Sequence, residues 1–246
     1  LTTVRIDAQG MHYTPLNQRI RQAVREGADE IILDHVMGQR FIADGLKGRV
    51  NLVINGVPGG DLGMFMSGPT CTVYGNCDHA PGNTMDSGCI VIHGSAGDAV
   101  AHSMRGGRIF VRDHIGYRGG IHMKEYQEKC PILVVGGHAR AFLGEYMAGG
   151  RILVLGINDG DAVSERGIGS GIHGGEIIIR GEVAEHFLGV GAKMHSCNPE
   201  ERRHFIPLIH DYARYFGIDP LSLTEGTFTR ITPSSTRPFA NKYTWE

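Results

Sequence analysis

One feature constrains this chain more than any other: it repeats itself. Met66, Met85, Met104 and Met123 fall 19 residues apart, as do Gly56, Gly75 and Gly94. One unit reads Met85-Asp-Ser-Gly-Cys-Ile-Val-Ile-His-Gly94, and the next reads Met104-Arg-Gly-Gly-Arg-Ile-Phe-Val-Arg-Asp113. Later units are Met147-Ala-Gly-Gly-Arg-Ile-Leu-Val-Leu-Gly156 and Ile172-His-Gly-Gly-Glu-Ile-Ile-Ile-Arg-Gly181. A fixed period of this size is the signature of a solenoid, because one such unit is too small to bury its own apolar face. Glycine, at 37 of 246 residues, is about twice its usual share. Proline is not raised with it, and no G-X-Y period exists, so collagen is excluded.

Each unit holds a short alternating run, the period of a strand with one buried face. Aligned on the closing glycine, one column contains Leu52, Cys71, Ile90, Ile109, Ile132, Ile152 and Ile177. A second contains Ile54, Val73, Ile92, Val111, Val134, Val154 and Ile179. Both point inward. The column beside them is mixed, with Asn55, Tyr74, His93, Arg112, Val135, Leu155 and Arg180, and points outward. A further column, three residues before the methionine, holds only Gly or Ala: Ala43, Gly63, Gly82, Ala101, Gly120, Gly144 and Gly169. That composition marks a corner with positive φ or close backbone approach. The residues before it (Ile42, Leu62, Pro81, Val100, Gly119, Leu143, Ile168) supply a second inward wall. Strands stacked ~4.8 Å apart would make seven coils a rod roughly 30–35 Å long. The L-x-x-L-x-L pattern, period six and blade-length repeats are absent, which excludes leucine-rich repeats, hexapeptide helices and propellers.

The repeat occupies 41–197. Segment 1–40 is expected to be a cap, with a helix from Thr14-Pro15 to Gly27 and a first strand at 30–35. Segment 198–246 is expected to hold a second helix starting at Asn198-Pro199-Glu200-Glu201, with Ile206, Ile209, Ala213 and Phe216 on one side and Gly217 as its stop. A polar tail with Pro233 and Pro238 follows. The extra residues 125–129 and 158–166 should bulge from the rod as loops.

The formal charge is −2, with no basic excess for nucleic acid. No apolar run is long enough to span a bilayer, and no basic head precedes an apolar stretch at the start, so a cytoplasmic location is expected. Five cysteines without a CxxC pair indicate neither a disulfide framework nor a zinc ribbon. Gly167-Ile-Gly-Ser-Gly-Ile-His-Gly174 contains G-x-G pieces, but a strand follows it where a phosphate loop needs a helix. Thirteen histidines include no HExxH set; Cys77 near His79 is the nearest thing to a metal pair. Asp61, Asp78, Asp98 and Asp161 read as turn residues. Stacking places Tyr74, His93 and Arg112 side by side on successive coils, an outward ladder that would face a partner or solvent. No catalytic, cofactor or metal residue is assigned.

The unit Leu143-Gly144-x-x-Met147-x-Gly149-Gly150-x-Ile152-x-Val154-x-Gly156 resembles the repeat of the GXGXG domain, the β-helix at the C-terminal end of the glutamate synthase large subunit. The strings Asp44-Gly45-Leu-Lys-Gly48, Ser103-Met-Arg-Gly-Gly107, Gly120-Ile-His-Met-Lys-Glu-Tyr126 and Leu143-Gly-Glu-Tyr-Met-Ala-Gly-Gly150 are similar to its stand-alone form, a separate subunit of archaeal-type glutamate synthases and of N-methylglutamate synthase. The resemblance implies a mostly β protein, a right-handed parallel β-helix of about seven coils capped by an N-terminal and a C-terminal α-helix. It implies a non-catalytic structural subunit that positions an amidotransferase subunit against an FMN/iron–sulfur synthase subunit, in a higher hetero-oligomer. FMN and the clusters would sit in those partners. Residue 1 is Leu1 and no cysteine stands near it, so the amidotransferase nucleophile is not carried over. A similar rod serves formylmethanofuran dehydrogenase and the formyltransferase/hydrolase complex, which is the alternative. An independent polysaccharide-cleaving β-helix is a weaker one, disfavoured by the single tryptophan, Trp245, and the absence of an export signal.

Overall fold

The computed structural model describes residues 1–157 and 160–236. Asn158 of the expected loop, and Pro238 and Trp245 of the expected tail, lie outside them. All strands belong to one 11-stranded sheet. It opens with β1 (Thr3–Asp7), which the sequence reading missed, then α1 (Tyr13–Arg25) and β2 (Glu30–Met37). β1 pairs in parallel with β2. The repeat supplies β3 (Asn51–Val57), β4 (Ser67–Tyr74), β5 (Ser87–Ile92), β6 (Arg108–Val111), β7 (Ile132–Val135), β8 (Ala148–Val154) and β9 (Gly174–Arg180). Each pairs in parallel with the next, with equivalent residues opposite one another. The fold is therefore a β-solenoid. The seven strands β3–β9 enclose about six turns, fewer than the seven coils expected.

Ile90 and Ile109 are Cα partners and fully buried in one core, with Leu52, Cys71, Ile152 and Ile177 in the same column. Ile132 is not among them. Ile109 pairs with Leu133 and Val111 with Val135, so these two take the inward places, while Ile132 and Val134 turn outward into a second core. The closing position is correspondingly Gly137, whose N–H donates to Asp113 O at 2.7 Å. Two facts misled the sequence reading. An insertion precedes β7, and β7 is buried on both faces, so both parities are aliphatic.

The methionine column lines the interior beside the strands, with Met66, Met85, Met104, Met123 and Met147 fully buried. The Gly/Ala column forms the corner, with φ between 60° at Ala101 and 73° at Gly82. Residues two before and two after it are left-handed as well, for example Ala80 and Thr84 around Gly82. This geometry turns the amides of the three left-handed residues alternately up and down the rod. Gly82 N–H donates to Leu62 O of the preceding coil, and Ala80 and Thr84 donate to Asp98 O and His102 O of the following one, all at 2.8 Å. The same pattern recurs at 99–103 and 118–122. A left-handed non-glycine residue costs about 1–2 kcal/mol, which the cross-coil hydrogen bonds must offset. A third wall is made by bridges linking Cys77, Ala96, Ile115, Ala139 and Val163 on successive coils.

Both ends are closed. α1 lays Leu16, Ile20 and Ala23 on the main core. Its N-cap is His12, whose ring nitrogen accepts Thr14 N–H at 3.2 Å, so Thr14, expected to open the helix, lies two residues past the cap. At the far end β11 (Phe228–Pro233) pairs antiparallel with β9, and β10 (Ala192–Ser196) pairs with β11. Ile231 of β11 sits opposite Ile177 and prolongs the inward column. The first part of the expected polar tail is thus a strand that closes the rod. The C-terminal helix is split into α2 (Pro199–Arg203) and α3 (Ile206–Phe216), followed by a short α4 (Leu221–Thr224). α3 lies along the side of the rod. Leu208, Ile209 and Tyr212 pack on Phe110, Val134, Leu153 and Ile178, the outward side chains of β6–β9. Among the described residues no helix is long and apolar enough to cross a membrane.

A Cβ built on Gly82 would stand 2.3 Å from Ile109 Cδ1 in a close-packed interior. Gly82→Ala should therefore destabilise by about 2–4 kcal/mol, adding left-handed strain to overpacking. Ala101→Gly, at the equivalent corner, should change stability by less than about 1 kcal/mol. Denaturant titration of both variants checks the contrast.

Candidate interaction surface

The outward ladder starts on three adjacent strands. Tyr74 and His93 stack with ring centroids 4.7 Å apart and planes at 27°. Phe216, at the end of α3, stands edge-on to His93 at 5.1 Å. Burial, and secondarily the charge of Arg112, push the His93 pKa down. Arg112 does not join the stack: its guanidinium makes two hydrogen bonds to Asp113, at 3.1 and 2.9 Å. The Arg112 carbonyl instead accepts the Tyr212 hydroxyl at 2.7 Å. Tyr212 can approach because the next outward position is Gly136, where a Cβ would meet the phenol oxygen at 1.8 Å. Thus Tyr74 and His93 come together, and the chain's own helix covers part of the ladder. Tyr212 and Phe216 lie outside the repeat, so no repeat signal revealed them.

A second ladder also escaped the sequence reading. Asn76 Oδ1 accepts Ser95 N–H, Ser95 Oγ accepts His114 N–H, and His114 Nδ1 accepts His138 N–H, at 2.9, 3.2 and 3.1 Å. His79 Nδ1 accepts Asp98 N–H and Asp98 Oδ1 accepts Tyr117 N–H, both at 2.8 Å. These side chains tie one coil's corner to the next coil's backbone. The 19-residue spacing of Asn76, Ser95 and His114 is the signal that could have shown it. The His114 and His138 rings stack at 4.1 Å.

The remaining candidates resolve into structural roles. Cys77 turns into the core while His79 binds Asp98, so the two do not converge on a metal. No group of three or more His, Cys, Asp or Glu is placed to hold a metal among the described residues. Every cysteine thiol is pushed upward by burial: Cys71 to about 12, Cys130 to about 11, and Cys77, Cys89 and Cys197 in the same direction. None has the depressed pKa of a nucleophile or redox thiolate. Asp61 accepts Asn83 Nδ2 at 3.0 Å, cross-coil turn chemistry like that of Asp98. Gly167, Gly169 and Gly171 are the three left-handed residues of the last corner, not a phosphate cradle. The inserted loops fold back on the rod: Lys129 pairs with Asp86 at 2.7 Å and Glu165 with Arg140 at 2.8 Å.

Charges fasten the C-terminal elements. Glu176 of β9 binds Arg151 and, at 2.6 Å, Arg230 of β11. Arg230 also reaches Glu201 at 2.9 Å, and His195 reaches Glu201 at 2.8 Å. Glu201 closes a capping box with Asn198. The Asn198 amide foremost, then His195 and Arg230, hold its carboxyl down at about 2.

A solenoid of this period with a Gly/Ala corner defines a class, and the comparisons place the chain within it. Residues 16–229 match the GXGXG motif family, and the chain belongs to that family. An uncharacterized protein of the archaeon Methanocaldococcus jannaschii is 52% identical to it, over 97% of this chain and 95% of the relative.

Two outcomes follow. Cys130, the exposed thiol, should alkylate at pH 8 at least about tenfold more slowly than glutathione, as read by mass spectrometry. For Glu201 the lowered pKa favours the folded state above about pH 4.5, and this stabilisation is lost as pH falls toward 2. Glu201→Gln should therefore be less stable than the native chain at pH 7, with the difference closing in acid, in denaturant titrations across that range.

Proposed function

We propose that this chain is a non-catalytic structural subunit of a glutamate synthase-type complex. It positions an amidotransferase-like subunit against an FMN/iron–sulfur synthase-like subunit for glutamate formation from glutamine and 2-oxoglutarate. The observation that carries this reading is a GXGXG-family solenoid covering nearly the whole chain, with each coil hydrogen-bonded to its neighbours along the strands and the corner. Ammonia released at one site must reach the next before it is lost, and that demands fixed geometry between two catalytic chains. A close-packed rod tied by hydrogen bonds at every coil supplies such geometry. The thiols do not fit a cluster ligand set: Cys71 and Cys77 are core residues, Cys89 lies against Tyr215, and Cys130 stands in the 124–130 loop. FMN and the clusters accordingly belong to the partner in this reading.

The test is reconstitution from purified amidotransferase-like and synthase-like chains of the same organism. Adding this chain should yield a stable three-component complex on gel filtration. Glutamine-dependent glutamate formation should rise about tenfold or more, and ammonia-dependent formation should change little. Full glutamine-dependent synthesis without this chain, or no association with either subunit, would contradict the proposal.

A further inference from the structure

The bridge wall repeats one small device. A side-chain acceptor lies over a glycine of the following coil and takes the amide one residue further on. Asn76 does this over Gly94 and bonds Ser95 N–H, and Asp98 does it over Gly116 and bonds Tyr117 N–H. His79 holds the same post over Gly97, with Nδ1 accepting Asp98 N–H at 2.8 Å. His114 holds it over Gly137, with Nδ1 accepting His138 N–H at 3.1 Å. A Cβ on any of these four glycines would stand between 2.1 and 2.6 Å from the acceptor atom, so the glycines are what admits the side chains.

The four acceptors differ in their response to a proton. An amide oxygen does not titrate near neutrality, and a carboxyl group keeps a carbonyl lone pair even when protonated. An imidazole keeps none, because both nitrogens of the charged ring are donors. A ring nitrogen that faces an N–H must carry the lone pair, so neutral His79 and His114 hold their proton on Nε2. A further proton on Nδ1 sets two donors against each other, and the bond is lost.

The surroundings give each charged ring a different place to go. Asp78 Oδ1 is 3.4 Å from His79 Nε2, and Asp98 Oδ2 is 3.8 Å from its Nδ1. The cations of that region are already paired, Arg40 with Asp61 and Arg140 with Glu165. Charged His79 therefore has carboxylates to turn to. His114 stacks on the His138 ring at 4.1 Å, beside Tyr212 of α3 and an Arg112 that is bound to Asp113. On the coil beyond, Asp161 precedes Ala162, whose carbonyl accepts Ala139 N–H at 3.0 Å. The main-chain bonds beside these rungs do not involve the rings: Ala96 N–H donates to His114 O at 2.9 Å, and Ile115 N–H to His138 O at 3.0 Å.

We infer that the bridge wall carries a proton-operated latch. Neutral His79 and His114 hold the coil after them by its amide, and protonation releases the Asp98 and His138 amides. The rungs made by Asn76 and Asp98 stay closed, and the main-chain bonds keep the coils stacked, so the opening is local. Acid thus loosens one wall of the rod while its strands and corner stay intact.

The test is amide hydrogen exchange of the isotope-labelled chain, read by NMR from about pH 8 to about pH 5, the range in which imidazoles change charge. Rates are corrected for the intrinsic pH dependence of exchange. Across that range the Asp98 and His138 amides should lose about tenfold or more in protection relative to the Ser95 and Tyr117 amides. Ring nitrogen shifts at the alkaline end should report the Nε2–H tautomer at His79 and His114. In His79→Asn with His114→Asn, where an amide oxygen takes the place of Nδ1 as at Asn76, the ratio should stay within about threefold. If that double variant does not fold, the wild-type ratio and the tautomer decide. An unchanged wild-type ratio, an Nδ1–H tautomer at the alkaline end, or an acid loss that persists in the Asn variant would overturn the latch. So would a loss shared equally by all four amides, which is global opening.

Discussion

The structure depends on hydrogen bonds that run along the rod from one coil to the next. In the strands these are ordinary parallel ladders. At the corner they exist because every second residue is left-handed, which points the amides of those residues alternately toward the coil before and the coil after. A corner without this alternation would leave buried amides unpaired at each turn, a penalty of about 1–3 kcal/mol per group. The Gly/Ala column therefore does two things: it permits the backbone conformation, and it leaves room for the isoleucine of the neighbouring inward column.

Two cores result. The interior core fills the space between strand wall, corner and bridge wall, and continues from α1 at one end to Ile231 of β11 at the other. The second core lies outside the strand wall, where α3 covers Phe110, Val134, Leu153 and Ile178. Tyr212, seated on Gly136, and the Glu176–Arg230–Glu201 set hold the C-terminal elements there. The sheet is buried on both faces along β6–β9, where α3 lies on its outer side, and its outer face is only partly covered along β2–β4.

Much of this was legible in the sequence because a period of 19 survives any choice of hydrophobicity scale. The inward columns, except at β7, and the left-handed Gly/Ala column follow from it directly. Legibility failed where burial was not periodic. In β7 the run Ile132-Leu-Val-Val135 is aliphatic at both parities because α3 packs on its outer side, so nothing in the alternation marked the true register. β1 and β11 lie outside the repeat and join the sheet by tertiary pairing. The left-handed residues at Ala80, Thr84 and Arg118 carry no glycine to announce them. Of the Tyr74, His93 and Arg112 ladder, the neighbour stacking was legible from the period, but its cover by Phe216 and Tyr212 required knowing where a non-repeating helix would lie.

The central claim is that coils are joined as tightly at the corner as in the strands. Native-state hydrogen exchange tests it most directly. The corner amides of Gly63, Gly82, Ala101, Gly120 and Gly144 should be protected to the same order as those of Ile90, Ile109 and Leu133, and should open with them as one unit. Near-unprotected corner amides beside slowly exchanging strands would contradict the account.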